Sequence, residues 1–128
     1  MYTRLSIFGL VLIVVCTGPV QAQTPVERCA QAVDNASSNP TRECRTKLMA
    51  TASRYRTDPA TVIDTLVSGV KRLRSADVSA SILNILSVTG LNGVVRNGRS
   101  FGTMLDLYIK HRLNGQSHEA AIENLQSS

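Results

Sequence analysis

Most of the prolines in this 128-residue sequence directly follow a residue whose side chain can cap a helix. The pairs are Thr24-Pro25, Asn39-Pro40 and Asp58-Pro59. Proline is favoured at the first position of a helix because no backbone N–H is needed there. The preceding Thr, Asn or Asp accepts a hydrogen bond from the first turn. These pairs therefore predict three helix starts and favour an all-α fold.

Apolar side chains recur at helical spacing after these starts and again towards the C-terminus. The clearest stripe, which follows Pro59, consists of Ile63, Leu66, Val67, Val70 and Leu73. We expect Ser75 to cap a fourth helix that ends at Gly90, and Ser100 and Ser117 to begin two more. The sequence thus predicts one domain over residues 23–128, an all-α bundle of about five to six short helices.

Residues 1–22 have the three parts of a secretory signal peptide. Arg4 supplies the positive start, residues 5–16 (LSIFGLVLIVVC) form an apolar run, and Val20 and Ala22 suit a cleavage site. As a helix, this run would extend about 18 Å, against about 30 Å for the hydrocarbon core of a bilayer. We therefore predict cleavage after Ala22, no stable membrane span in the processed chain, and a periplasmic or secreted location.

Cleavage would remove Cys16 and leave two cysteines, Cys29 and Cys44. An even pair in a small exported domain predicts a disulfide. Closing a loop of this length would stabilise the fold by roughly 3 kcal/mol in the chain-entropy model. Two buried free thiols are the alternative. A lipid anchor on Cys16 is a further alternative, although Val15 stands where lipid attachment requires a small residue.

Composition excludes several classes of function. The formal net charge is only +5, and aromatic residues make up 4% of the chain. Stacking platforms for sugars or single-stranded nucleic acids need more aromatic rings than this chain has. The low charge and the predicted export also argue against a nucleic-acid partner, so we predict none. The letters Gly-x-Ser-x-Gly occur once, at residues 98–102 (GRSFG). A nucleophile elbow also needs a strand directly before the serine, and no strand is predicted there, so these residues do not indicate a catalytic serine. We therefore predict no catalytic residue and no cofactor.

Two histidines are the main candidates for metal ligands. His111 and His118 are separated by a predicted helix break, whereas helical metal pairs more often stand three or four positions apart. His118 also begins the apolar stripe of the last helix, so we expect it to be partly packed. The sequence predicts no metal site.

The most site-like stretch is a loop that precedes the helix expected from Ser100. Its candidate partner- or anion-binding residues are Arg96, Asn97, Gly98, Arg99 and Ser100. Guanidinium groups bind carboxylates and phosphates in bidentate fashion, and helix N-termini favour anions. An ordinary solvated turn has the same composition and remains an alternative.

Two hypotheses for function follow from these features. The first is a protein that binds a protein partner in the cell envelope, such as an inhibitor or immunity factor, or an accessory of a secretion or transfer system. The second is a small envelope enzyme or anion-binding protein that uses the loop over residues 96–100. The second hypothesis requires this loop and the two histidines to converge on one pocket.

Overall fold

A computed structural model of the protein describes residues 23–33, 38–91, 93–95 and 98–127. The predicted signal peptide over residues 1–22 lies outside these ranges. The described residues form six helices and no strand, which confirms the predicted all-α class. The helices are α1 (Pro25–Ala32), α2 (Pro40–Arg54), α3 (Pro59–Ser75), α4 (Ile82–Thr89), α5 (Phe101–Leu113) and α6 (His118–Ser127).

All three helices predicted from a capping residue followed by proline begin where expected. The side chains of Thr24, Asn39 and Asp58 each accept a hydrogen bond from the backbone N–H three positions on, at 3.2, 3.1 and 2.8 Å. At α1 the side chain of Glu27 also accepts from the backbone N–H of Thr24, which completes a capping box. Local chemistry therefore determines where the first three helices begin.

The core forms around α3, which contacts α1, α2, α4 and α5. Its buried apolar residues are Val62, Ile63, Leu66, Val70 and Leu73. The predicted disulfide joins Cys29 of α1 to Cys44 of α2, with 5.9 Å between the two Cα atoms. It holds α1 against the bundle through a covalent bond, in addition to the burial of Val26.

Helices α3 and α5 pack closely and run in the same direction. A Cβ atom on Gly69 of α3 would lie 2.7 Å from Cδ1 of Ile109 and 3.0 Å from Cδ2 of Leu105, both in α5. Further along both helices, Ala76 and Leu113 line one surface depression. Glycine at position 69 is therefore what allows the two backbones to approach at this crossing.

The prediction that Ser75 caps the fourth helix is wrong. Ser75 is the last residue of α3, and Asp77 then adopts a positive φ of 61°. The backbone N–H of Val78 donates to the carbonyl of Leu73 at 2.9 Å, which closes the end of α3. The cap of α4 is instead Ser81, whose hydroxyl accepts from the backbone three positions on.

The segment between α4 and α5 is non-helical in its described residues, as predicted, but one of them belongs to the core. Val94 is fully buried, and its N–H donates to the carbonyl of Leu91 at 2.9 Å. The hydroxyl of Ser100 caps α5 by accepting from the backbone of Thr103 at 3.1 Å. None of the helices in the described ranges has the length and apolar content needed to cross a membrane.

Candidate functional site

A cleft of about 520 Å³ opens where the end of α2 meets the start of α5. We call it the arginine cleft. It is lined by Arg54, Tyr55, Arg56, Val95, Gly98, Arg99 and Ser100. Three guanidinium groups and no carboxylate are found among these described lining residues. The cleft is therefore a region of positive charge on a protein whose overall charge is only mildly positive.

Tyr55 is held rigidly between the cleft arginines and the core. Its hydroxyl donates to the backbone carbonyl of Thr89 at 2.9 Å, and its ring packs edge-on against Phe101 with 5.5 Å between the centroids. Burial raises the pKa of Tyr55 to about 12, although the positive charges of Arg99 and Arg54 oppose the rise. Tyr55 is therefore neutral at physiological pH and serves as a fixed support.

Arg54 and Arg56 reach the cleft from the end of α2. Arg54 lies in the last turn of that helix, where the dipole favours a cation. Arg56 follows in a left-handed conformation with φ 53°, and its N–H donates to the carbonyl of Ser53 at 3.2 Å. The N–H of Thr57 donates to the carbonyl of Ala52 at 3.0 Å, which makes this a Schellman motif.

Arg99 reaches the cleft from the other side, directly before the cap of α5. Its Nη1 donates to the carbonyl of Val94 at 3.3 Å, which fixes the guanidinium to the preceding loop. The dipole of α5 places a partial positive charge at this end of the helix, so a cation here is locally unfavourable. The arginine and the helix end together favour an anion at this position.

The structure places part of the predicted site in this cleft. Gly98, Arg99 and Ser100 line it, whereas Arg96 and Asn97 lie outside the described residues. Sequence reasoning missed Arg54, Tyr55 and Arg56, since only the packing of α2 brings them to the start of α5. The only sequence signal for these three is the run Arg-Tyr-Arg at the expected end of the second helix.

A second polar cluster joins α5 to α6. Arg112 Nη1 donates to the hydroxyl oxygen of Tyr108 at 2.9 Å, and this hydroxyl lies 2.8 Å from Nδ1 of His118. Arg112 also donates to the carbonyls of Ser79 at 2.7 Å and Gln116 at 3.0 Å. One guanidinium thus links α5 to the segment before α4 and to the turn before α6.

The hydrogen bonds around the Tyr108 hydroxyl favour a neutral His118. Because the Tyr108 oxygen accepts from Arg112, we assign its O–H as the donor to Nδ1 of His118. His118 is then neutral, with its proton on Nε2. Burial lowers the pKa of His118, the Glu119 carboxylate opposes this effect, and Arg112 adds to it. Burial also raises the pKa of Tyr108.

The histidines and Arg99 do not share a site in the described part of the chain. His118 lines a separate cavity of about 240 Å³ with Tyr108 and Arg112. The described residues that line that cavity do not include His111, and those that line the arginine cleft do not include it either. Within the described ranges, no group of three or more His, Cys, Asp or Glu side chains is placed to hold a metal ion. The arginine cleft is the stronger candidate for binding.

Comparison of the chain with protein-family models, with curated protein sequences and with solved structures finds no match.

Proposed function

We propose that this chain is a small exported protein of the cell envelope that binds an acidic surface of a protein partner through the arginine cleft. An inhibitor, an immunity factor or an accessory of a secretion or transfer system would each act by binding a protein partner. The disulfide between Cys29 and Cys44 supports an oxidising compartment, because such bonds persist outside the cytoplasm. In the described part of the cleft, the Ser100 hydroxyl caps α5 and neither histidine is among the lining residues, so we favour binding over catalysis.

One observation carries the proposal: two of the three cleft arginines occupy positions that their own helices disfavour. Arg56 adopts a left-handed conformation that suits glycine, and Arg99 precedes the positive end of α5. Arg54, by contrast, is ordinary for the last turn of a helix. The helix dipole accounts for Arg54, and a hydrogen bond to the carbonyl of Val94 holds Arg99. The left-handed position of Arg56 has no need of an arginine, and an anionic partner would account for a third positive charge here.

The character of the cleft favours a protein surface over an enclosed small molecule. Arg54 and Arg56 are exposed, Arg99 is half-buried, and the lining is mostly polar. Small-molecule sites are usually enclosed by apolar walls, whereas arginine is enriched at protein interfaces. The carbonyl of Leu91 accepts from the N–H of Val95 at 3.0 Å. Leu91 is therefore bonded to a residue that lines the cleft, and its apolar side chain is 41% exposed.

The test is affinity capture from envelope extract with the tagged, processed protein as bait. The double variant Arg54→Gln/Arg99→Gln removes charge from the cleft. The matched control, Arg45→Gln/Lys110→Gln, removes the same charge from exposed positions that do not line it. We expect a stoichiometric partner with the wild type and the control, release of that partner by salt, and its loss from the cleft variant. Equal capture by all three proteins would refute the proposal.

The alternative function is the binding of a small anion by the cleft arginines alone, because neither histidine is among the described lining residues of the cleft. Calorimetric titration with inorganic phosphate distinguishes the two. Saturable binding at submillimolar phosphate that Arg54→Gln/Arg99→Gln abolishes, without any captured protein, would favour a small-anion-binding protein. Capture of a stoichiometric partner with no measurable phosphate binding would favour the protein interface.

A further inference from the structure

Three helices of this bundle end in the same backbone motif. In α2, α3 and α5, the second residue after the helix has a positive φ, of 53°, 61° and 96° respectively. In each case the next N–H donates back to a carbonyl in the last turn of the helix, at 3.0, 2.9 and 3.1 Å. The residues at this left-handed position are Arg56, Asp77 and Gly115. The motif thus permits a direct comparison of three side chains in one backbone setting.

Only one of the three residues is unsuited to its conformation. Glycine has no Cβ atom and enters the left-handed region without strain, as at Gly115. Aspartate is enriched there because its short side chain hydrogen-bonds locally, which suits Asp77. Arginine has neither property, so Arg56 destabilises the end of α2 relative to glycine. This exception is also the member of the three that lines the arginine cleft.

The left-handed turn is what brings Arg56 into the cleft. Residues two positions apart do not share a face of a continuous helix, yet Arg54 and Arg56 both line this cleft. The change in chain direction after Tyr55 accounts for this shared position. Glycine at position 56 would preserve the turn, so the turn itself does not require an arginine side chain.

The guanidinium of Arg56 makes no hydrogen bond or ion pair with the residues that the structure describes, and its side chain is exposed. Arg99, in contrast, donates to the carbonyl of Val94. Within the described fold, therefore, Arg56 supplies a cation to the cleft and no visible stabilising contact.

We infer that Arg56 is a ligand-contacting residue of the arginine cleft, kept in a conformation that suits glycine because its guanidinium binds a carboxylate of the protein partner. This inference rests on the proposed function and adds the chemical group that is recognised. A guanidinium binds a carboxylate through two parallel N–H···O bonds, a geometry that lysine cannot reproduce. Removal of this side chain should therefore weaken binding while it stabilises the fold.

The experiment measures both properties of the same variants. Thermal unfolding gives the stability, and fluorescence anisotropy with a labelled hexaglutamate peptide at low salt gives the affinity. For Arg56→Gly we expect Tm to rise by roughly 4 °C and the affinity to fall at least about fivefold. Arg56→Lys keeps the charge and should bind with intermediate affinity.

Two matched controls separate backbone and charge effects from contact. Asp77→Gly makes the equivalent substitution at the end of α3, away from the cleft. It should leave the affinity within about twofold of wild type. Arg45→Gln removes one positive charge from an exposed position on α2 and should have an equally small effect.

Each outcome bears on a definite claim. If Arg56→Gly binds as tightly as wild type while Arg99→Gln weakens binding, the inference is overturned and the proposed function stands. If Arg54→Gln, Arg56→Gly and Arg99→Gln all bind like wild type, the proposed function fails as well.

If Arg56→Gly lowers Tm, the arginine serves the fold and the inference is overturned. Arg56→Gln then reports whether the charge contributes to binding.

Discussion

The hydroxyl group of Tyr108 in α5 lies 2.8 Å from Nδ1 of His118, the first residue of α6. Their rings pack edge-on with 5.7 Å between the centroids. The guanidinium of Arg112 donates to the same hydroxyl, and the carboxylate of Glu119 follows His118 in the chain. Protonation of His118 would remove the acceptor of the Tyr108 O–H and place a second cation near Arg112. A neutral imidazole thus contributes to the attachment of α6, in addition to the burial of Ala121, Ile122 and Leu125.

Acidification should therefore destabilise the protein between about pH 7 and pH 5. Because the pKa of His118 is lowered in the folded state, the unfolded chain binds the proton more readily. The stabilisation is fully present above the unfolded pKa of about 6.5 and is lost as the pH falls through the lower folded pKa. Urea midpoints measured across this range should fall in the wild type. His111→Gln should keep this pH dependence, whereas a similar dependence in His118→Gln would contradict it.

Gly69→Ala should destabilise the protein by about 1–3 kcal/mol, because the new methyl group overlaps Ile109 and Leu105 in a packed core. Gly102→Ala makes the same substitution in α5, where the nearest atom to the new Cβ is the Ser100 hydroxyl oxygen at 3.9 Å. It should leave the stability unchanged or raise it by up to about 1 kcal/mol. Urea unfolding of both variants makes the comparison. Equal effects would show that close approach of α3 and α5 is not the reason for glycine at position 69.

Reduction of the disulfide between Cys29 and Cys44 should lower the free energy of unfolding by about 2–4 kcal/mol, since the unfolded chain regains the freedom of the closed loop. Urea unfolding with and without dithiothreitol measures this loss. Cys29→Ala/Cys44→Ala should be equally weakened and should not respond to the reductant. A reductant effect of the same size in this double variant would mean that something other than the bond is being measured.

The leader can be tested by the mass of the exported protein. If the full chain is expressed with a C-terminal tag, the protein recovered outside the cytoplasm should begin at Gln23. Ala22→Arg should block this processing, because the position before the cleavage site requires a small residue. A protein that begins at Cys16 and carries the mass of a lipid would instead establish the lipoprotein alternative.

Local chemistry explains why most helix boundaries could be predicted. At Pro25, Pro40 and Pro59, cap and proline are adjacent in sequence, so no distant contact is needed to specify the start. The end of α3 is different, because Ser75 and Ser81 can both cap a helix. The chain uses Ser81 after the turn at Asp77, where the N–H of Val78 bonds back to α3. Sequence periodicity alone does not distinguish these two serines.

The candidate site could be predicted only for the residues that are consecutive in the chain. Gly98, Arg99 and Ser100 stand together in the chain and were identified from composition and the expected start of α5. Arg54 and Arg56 join them only because α2 and α4 pack together and Tyr55 reaches the end of α4. The left-handed conformation of Arg56 could not be predicted, because arginine is not a residue that favours a positive φ.

The three hydrogen bonds of Arg112 have a consequence for the range of amino acids that position 112 tolerates. They leave from three different nitrogen atoms towards Tyr108, Ser79 and Gln116. A lysine would supply the same charge from a single nitrogen and could not reach all three acceptors in these directions. The position therefore discriminates between two cations of equal charge. Descendants of this sequence that keep the fold are expected to exchange its surface arginines for lysine more freely than this one.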